Sequence, residues 1–444
     1  MLRRWNNWRT KPARGVAATA VSLLLGTFLL RVNGGASALL VGRFLAQLQP
    51  RHGHAITSFE IGLLSVAYFI VDLSLAPIMG ALSDRWGRRL FLALGPCFGL
   101  LQMTGLFFTP SENPFPYLLS LQVLAGISSA MQVPAVLGYL ADYTARQPDL
   151  RVRVMSFYEL ATSGGLAVGV AGAGFAWDRC GRIAFLLLGV IYLVAACCML
   201  TVPLVRQNIE RAGSRLLLAR YWRVLRSPRL FIFIPAWISI FALVGIWFSS
   251  QLTFLLSSNR HLPGQLFMGS LSAQGGGAHL SLILGAVVLF FGLCLLFWAF
   301  FLKRVPRLWL MFFSIGGVYL ASVGLAGLNH STPENPALQA FWVFCLLAGL
   351  FAETGFAPAA LTYLADLSEE AARDRGMLMG LYSVFLGLGQ MLGNGLGGIF
   401  AEQWGFDGLI YLTLLLGAVA LISLLFLSRW ERKLSAVVKM RHAE

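Results

Sequence analysis

Twelve apolar runs divide this chain, each about 20 residues or longer and so able to cross ~30 Å of hydrocarbon. They centre near Arg31, Asp72, Gly99, Ser128, Leu166, Ile191, Phe241, Leu289, Val318, Ala352, Gly387 and Ala418. Inside a bilayer no water satisfies backbone polar groups, so such runs fold as helices that bond within themselves. The expected class is an all-α membrane protein with twelve transmembrane helices, called here spans one to twelve. Composition agrees, with 57% hydrophobic and 12% charged residues and a mean hydropathy of +0.73. No soluble globular domain has that balance.

The net charge of +15 reads as a topology signal, not as a nucleic-acid footprint. An even number of spans puts both termini on one side. The termini, the central segment and the loops two–three, four–five, eight–nine and ten–eleven hold 28 of the 34 Lys and Arg residues. The opposite loops hold Arg43, Arg51, Arg179, Arg182 and Arg260, and Arg31 falls inside span one. The positive-inside rule then places the chain in the cytoplasmic (inner) membrane with both termini in the cytoplasm. The basic, aromatic N-terminus lacks a small-residue cleavage site, and the first run exceeds a signal h-region, so it is expected to remain as span one. Cys180 is the one cysteine expected in an outside loop, which leaves it no external partner within the chain.

An internal repeat divides the chain in two. At a constant offset of 224 residues, Pro134, Leu137, Tyr139 and Asp142 recur as Pro358, Leu361, Tyr363 and Asp366. Arg151, Met155, Tyr158, Gly165, Gly169 and Gly181 recur as Arg375, Met379, Tyr382, Gly389, Gly393 and Gly405. Spans four and five thus repeat as ten and eleven, a parallel duplication of six-helix halves. The expected boundaries are 1–205 and 230–444. Between them, 206–229 carries seven Arg with Leu216, Leu217, Tyr221, Trp222 and Leu225, the pattern of an interfacial segment on an anionic inner leaflet.

Between spans two and three stand Gly80, Leu82, Asp84, Arg85, Gly87, Arg88 and Arg89. They match every fixed position of the signature loop of the major facilitator superfamily, which the chain resembles over essentially its whole length. That resemblance implies two pseudo-symmetric bundles that transport by alternating access. It implies that spans one, two, four, five, seven, eight, ten and eleven line the cavity while three, six, nine and twelve face lipid. It also implies a gating set: Asp84 and Arg88 pair with Asp142 at the end of span four and latch the outward-open state. Gly80, Arg85, Gly87 and Arg89 complete that loop, and Asp366 would act more weakly with Arg304. Asp84 could also face the positive N-terminus of span eleven. Two family motifs are imperfect. Gln122 replaces the span-four arginine, and Val170 replaces the span-five proline of antiporters, although Gly165, Gly169, Gly172 and Gly174 remain.

Charges inside a bilayer are costly and need a reason. Arg31 lies mid-span in one. Asp72 stands twelve residues before Asp84, or ~18 Å deeper. Glu353 is expected mid-helix in span ten, and Glu159 just inside the cytoplasmic end of span five. At the repeat offset Glu353 faces Ser129 and Glu159 faces Ser383, so each carboxylate is an addition to one half. Asp72, Glu353 and Glu159 are the candidates for proton coupling. The alternatives are static pairs of Arg31 with Asp72 or Glu353, and of Glu159 with loop arginines. Arg31 is either the counter-ion that tunes the carboxylates or a fork for an anionic substrate. Asn33, Gln132, Gln390 and Asn394 are candidates for substrate binding or for bonding neighbouring helices. The sequon at Asn329 is best explained by chance.

No nucleophile–base set, nucleotide loop or metal cluster appears, so neither an enzyme nor a cofactor is expected. The expected function is proton-coupled export of a small amphipathic or lipophilic molecule. Uptake or exchange of an anionic metabolite through Arg31 is the second expectation, and a non-transporting sensor or assembly factor the third. The expected partners are a small-molecule substrate, protons and membrane lipids, with no nucleic acid, and the expected state is a monomer.

Overall fold

The structure, a computed structural model, describes the backbone of residues 13–48, 55–143, 148–203, 228–258, 262–270, 276–301, 305–331, 335–370 and 375–441. Side chains are described throughout these except at 13–20, 141–143, 148–153, 155–156, 159, 365–370, 375–383 and 434–441. The helices are α1 (Ala13–Gln47), α2 (Ser58–Trp86), α3 (Arg88–Phe107), α4 (Pro114–Tyr143), α5 (Pro148–Cys180), α6 (Ile183–Leu200), α7 (Pro228–Trp247), α8 (Ser250–Ser257), α9 (Gly277–Phe301), α10 (Arg307–His330), α11 (Pro336–Glu353), α12 (Phe356–Glu370), α13 (Arg375–Trp404) and α14 (Phe406–Arg441). Among the described residues, twelve stretches are long and apolar enough to cross a membrane, and they coincide with the twelve runs. The linker lies outside the described residues except for Pro228 and Arg229, which open α7.

Two spans are not the continuous helices expected. Span seven breaks after α7. Ser249 is extended (φ −120°, ψ 167°), and its hydroxyl caps α8 by accepting from Gln251 N at 3.3 Å. Span ten breaks between α11 and α12, four residues before Pro358. Proline has no N–H for the carbonyl four residues back and crowds it. Glu353 is therefore not mid-helix; it is the last residue of α11. Gly355 N shortens its reach to Ala352 O at 3.2 Å. Phe351 O instead accepts from the Trp298 indole at 2.7 Å and from the Thr354 hydroxyl at 2.8 Å.

In the N-terminal half α1 packs on α5 and α6, α2 on α4, and α3 on α4 and α6. In the C-terminal half α7 packs on α13 and α14, and α10 on α11 and α14. The halves meet where α2 lies on α13, α5 on α9, and α8 on α1. The repeat survives in detail. A Cβ at Gly169 would strike the Val32 carbonyl of α1, and one at Gly393 the Ala242 carbonyl of α7. Each half thus brings its fifth span onto the backbone of its first, as small residues permit. Gly181 (φ 54°) and Gly405 (φ 62°) end α5 and α13 alike, bonding back to Trp177 O at 2.7 Å and Ala401 O at 2.9 Å. The left-handed backbone favours glycine at both places.

Aromatic rings fill the cores. Phe44, Trp177 and Phe185 meet edge-on in the first half, and Phe233 meets Trp237, Phe356 and Tyr363 in the second. Trp237 is buried in this core, and the Trp247 indole donates to Thr413 Oγ1 at 3.1 Å. Both tryptophans of span seven are packing residues.

Candidate functional site

A cavity of about 320 Å³ lies mainly in the N-terminal half and reaches the break of span seven. α1 contributes Thr27, Arg31, Gly34 and Ser37, α2 contributes Ser65, Tyr68 and Phe69, and α4 contributes Gln122, Ser128, Ser129 and Gln132. Phe248, Ser249, Ser250 and Asn394 close it from the other half. Arg31 is the only charged residue on this wall among the described residues. Gly165 on α5 has no side chain, so the Arg31 stem lies against its backbone.

Behind the wall sits Asp72, half-buried on α2. The Ser129 hydroxyl faces its carboxylate, and Arg31 is the cation close enough to act on its charge. Tyr68, one turn from Asp72, shares both neighbours. The structure therefore brings Arg31, Asp72 and Ser129 together, and adds Tyr68 and Tyr192, which sequence reasoning missed. Tyr192 comes from α6, and Gln102, also on the wall, comes from α3. Spans three and six therefore do not face lipid alone, as the resemblance implied. The reason is local. Gly99 on α3 leaves a notch that the Tyr192 ring fills, which lets a residue of an outer helix reach the cavity.

The other candidates separate. Gln132 lines the cavity and donates to Ser128 Oγ at 2.6 Å, which in turn donates to Gly95 O at 2.7 Å. Asn394 lines it too, while its amide donates to Gln390 O of its own helix at 2.9 Å. Gln390 is not on the wall; its backbone packs on Gly245 of α7. Asn33 is fully buried and turned away. With its amide oriented to satisfy both neighbours, Nδ2 donates to Leu188 O at 3.1 Å and Oδ1 accepts from Tyr192 N at 3.3 Å. Its place is in holding α1 against α6.

Glu353 lies apart from this cluster, at the α11 break, with its backbone against Gly317 of α10. Among the described residues its carboxylate has no hydrogen bond and no ion pair, and Arg31 does not reach it. The static Arg31–Glu353 pair is thus absent from this conformation. Glu159, Asp142 and Asp366 lie in α5, α4 and α12 but outside the described side chains.

The signature loop is a tight joint between α2 and α3. Gly87 takes φ 100°, and Arg88 pairs with Asp84 at 2.8 Å. The Arg88 guanidinium crosses Gly138 on α4, where any side chain would collide with it. Gly80 passes Pro134 of the same helix. Arg85 is exposed, and Arg89 is half-buried. At the opposite end of the bundle, Arg43 is not in a loop as expected but inside α1, paired with Asp178 of α5 at 2.9 Å. Asn329 is fully buried; its amide donates to Asp407 at 2.8 Å and accepts from Phe267 N at 2.9 Å. It is no glycosylation site in this fold.

Among the described residues no cluster of His, Cys, Asp and Glu could hold a metal ion. The site is a cavity with one wall cation, one recessed carboxylate and a ring of hydroxyls and amides. Such an arrangement can hold a small solute. Comparisons with known proteins agree. Multidrug resistance protein 2 of Bacillus subtilis (strain 168) is 25% identical over 381 residues, covering 85% of this chain and 88% of that protein. The bacillibactin exporter of the same organism is 35% identical over 92 residues, 20% of this chain and 22% of that one. The crystal structure of the nucleoside transporter NupG superposes with a TM-score of 0.70 at 14% identity, covering 93% of this chain and 98% of that chain. The family model of the Major Facilitator Superfamily matches residues 23–278 and 265–441, nearly the full length, and the chain belongs to that family of multi-pass membrane transporters.

Proposed function

We propose that this transporter exports a small amphipathic or lipophilic molecule in exchange for protons, by alternating access of the cavity between the two faces of the inner membrane. The observation that carries the reading is the recessed Asp72 with Ser129, Tyr68 and Arg31 around it, at the edge of a cavity with aromatic walls. A solute that needs an ionised Asp72 competes with the proton for it. Competition for one carboxylate makes proton and solute cross in opposite directions, which is antiport. The names of the two Bacillus relatives, a multidrug resistance protein and an exporter, support the outward direction. Glu353, an acid at a broken span near the repeat position of Ser129, serves as a second proton site. Both termini stand in the cytoplasm, on the strength of the Lys and Arg bias, and the signature loop with Asp84 and Arg88 gates that face.

A second reading has its own observation, since the one charged residue on the cavity wall is Arg31. An anion held there would draw Arg31 from Asp72 and leave the carboxylate to be neutralised by a proton. Anion and proton would then travel together, and the protein would work as an importer or exchanger of anionic metabolites.

The sign of the coupled proton separates the two. In proteoliposomes containing the purified protein, internal pH is followed under an imposed pH gradient while cationic, neutral and anionic compounds are added in turn. Antiport predicts proton movement against cations or neutral lipophiles, lost in Asp72→Asn. Movement with anions only, lost in Arg31→Ala, would replace the first reading by the second.

A further inference from the structure

The end of the bundle away from the termini, called here the distal end, is closed by two contacts that the repeat relates. Asp178 stands at the end of α5, and Glu402, at the same 224-residue offset, stands at the end of α13. Each acid reaches out of its own half and caps the first turn of a helix in the other. Asp178 Oδ1 accepts from Gly277 N at 3.2 Å and Oδ2 from Ala278 N at 2.7 Å, at the start of α9. Glu402 Oε2 accepts from Ser58 N at 2.8 Å, at the start of α2. The first N–H groups of a helix have no partner within it and carry the positive end of its dipole, so a carboxylate is well placed there.

The surroundings are built for close approach. Glycine begins α9, where the Arg43 guanidinium and Asp178 occupy the space a side chain at Gly277 would fill. Gly174, one turn before Asp178, rests on the Gly277 carbonyl. Across the pseudo-twofold, Gly62 of α2 and Gly398 of α13 touch backbone to backbone. The first contact is reinforced by Arg43 of α1 at 2.9 Å from Asp178. At the second, Thr57 and Glu60 cap α2 from within its own half, with Glu60 Oε2 accepting from Thr57 N at 2.8 Å.

We propose that Asp178, with Arg43, and Glu402 are the distal gate of the transport cycle. Both contacts cross between the halves, so both must part when the cavity opens at this end. They are its counterpart to the signature loop at the end that carries the termini. The gate rests on alternating access alone and holds whatever the substrate and the coupling ion are. Apart from the Arg43 pair it is made of side chain to backbone bonds, and a nearly isosteric change to the amide removes the negative charge and one of the two acceptor oxygens without disturbing the apolar packing around it.

The test reads distances directly. Spin labels are placed at Ser111→Cys and Ala337→Cys, exposed positions at the distal end of the two halves, in full-length protein with its six native cysteines replaced. The gate predicts a ratio of distal-closed to distal-open molecules about tenfold lower in Asp178→Asn or Glu402→Gln, and about a hundredfold lower in the double variant. Asp178→Glu and Glu402→Asp should recover part of the closed population. An unchanged distance distribution in a folded double variant overturns the proposal. So does a lowered melting temperature with unchanged distances, which is the mark of a permanent tie. Should Asp178→Asn fail to fold, Glu402→Gln leaves the Arg43 pair intact and carries the same test. No substrate is needed, so the outcome is independent of the antiport and symport readings.

Discussion

The two halves of this transporter share a frame and differ in what fills it. Gly169 and Gly393 seat the fifth span of each half on its first, and Gly181 and Gly405 end those spans with the same left-handed turn. The fillings diverge near the repeat position of Ser129. In the first half Ser129 lies in a continuous helix and faces Asp72 beside the cavity. In the second, Glu353 ends a broken helix and meets no charged partner among the described residues. Packing requirements are thus duplicated and chemistry is not. Positions that set helix-to-helix distance tolerate little change in either half, while a position facing a cavity is free to specialise. The proposed proton and solute site is accordingly expected to be lopsided, with the first half holding the exchange site and the second a subsidiary acid.

The largest expected effects test the shared frame. Gly169→Leu and Gly393→Leu should each abolish or nearly abolish the yield of monodisperse protein on size exclusion, to a similar degree. Overpacking costs about 1–3 kcal/mol even where side chains can yield, and here the obstacle is a backbone carbonyl. Normal yield and melting temperature for one variant alone would show that the halves do not share this constraint. Next come the acids. The proposed proton–solute coupling, on the usual scale of coupling between two sites, would be a free energy of about 1–3 kcal/mol, or roughly 5–150-fold. Asp72→Asn should lose all of it, so that proton-driven accumulation disappears while solute counterflow persists. Glu353→Gln should lose only part. The reverse order would move the exchange site to the second half. Arg31→Ala is expected to weaken anion binding about tenfold, the scale of one charge-assisted hydrogen bond, and to leave neutral lipophiles nearly unaffected. An equal loss for both classes by direct binding would make Arg31 a counter-ion only.

The frame was legible in the sequence because it is written in features that survive without coordinates. Apolar length marks the spans, glycines and Asp142 with Asp366 mark the repeat, and the Gly80–Arg89 run marks the joint. The charges inside the spans were legible, since Arg31, Asp72 and Glu353 stand out against an apolar background; that Arg31 and Asp72 come together while Glu353 lies apart was not. What escaped depends on facing. Tyr192 and Gln102 sit in spans that a general topology assigns to lipid, and only the Gly99 notch brings Tyr192 inward. Asn33 looks like a cavity residue by its span, yet it turns to the α6 backbone. Asp178 and Glu402 shared the repeat offset in plain view, but their partners are helix N-termini, which no residue type announces. The two breaks escaped for a similar reason, since they are decided by where freed backbone groups find new partners.

The break in span ten offers the smallest and most local test of the comparison. Proline is present in both halves, as Pro134 and Pro358, yet α4 runs unbroken through Pro134. Proline alone therefore does not account for the break. Four and three residues before it, the first half has Ala130 and Met131, both good helix formers, while the second has Thr354 and Gly355, which are poorer ones. The second half also has a group ready to receive a freed carbonyl, since the Trp298 indole of α9 donates to Phe351 O at 2.7 Å. Trp298→Phe keeps most of the ring packing on Phe351 and removes that donor. The Thr354 hydroxyl still bonds the same oxygen, so the loss should be no more than about 1 kcal/mol. The lost bond should appear as a melting temperature lower by only about one degree. Replacing Gly355 by Ala favours the continuous helix but presses a methyl on Leu310, so its effect is compared between backgrounds and should be more favourable in Trp298→Phe than in the unaltered protein. If the indole merely fills space, the cost of Trp298→Phe is only that of the void it leaves, and Gly355→Ala should act alike with or without it. In that case the break would be set within α11 and α12 alone.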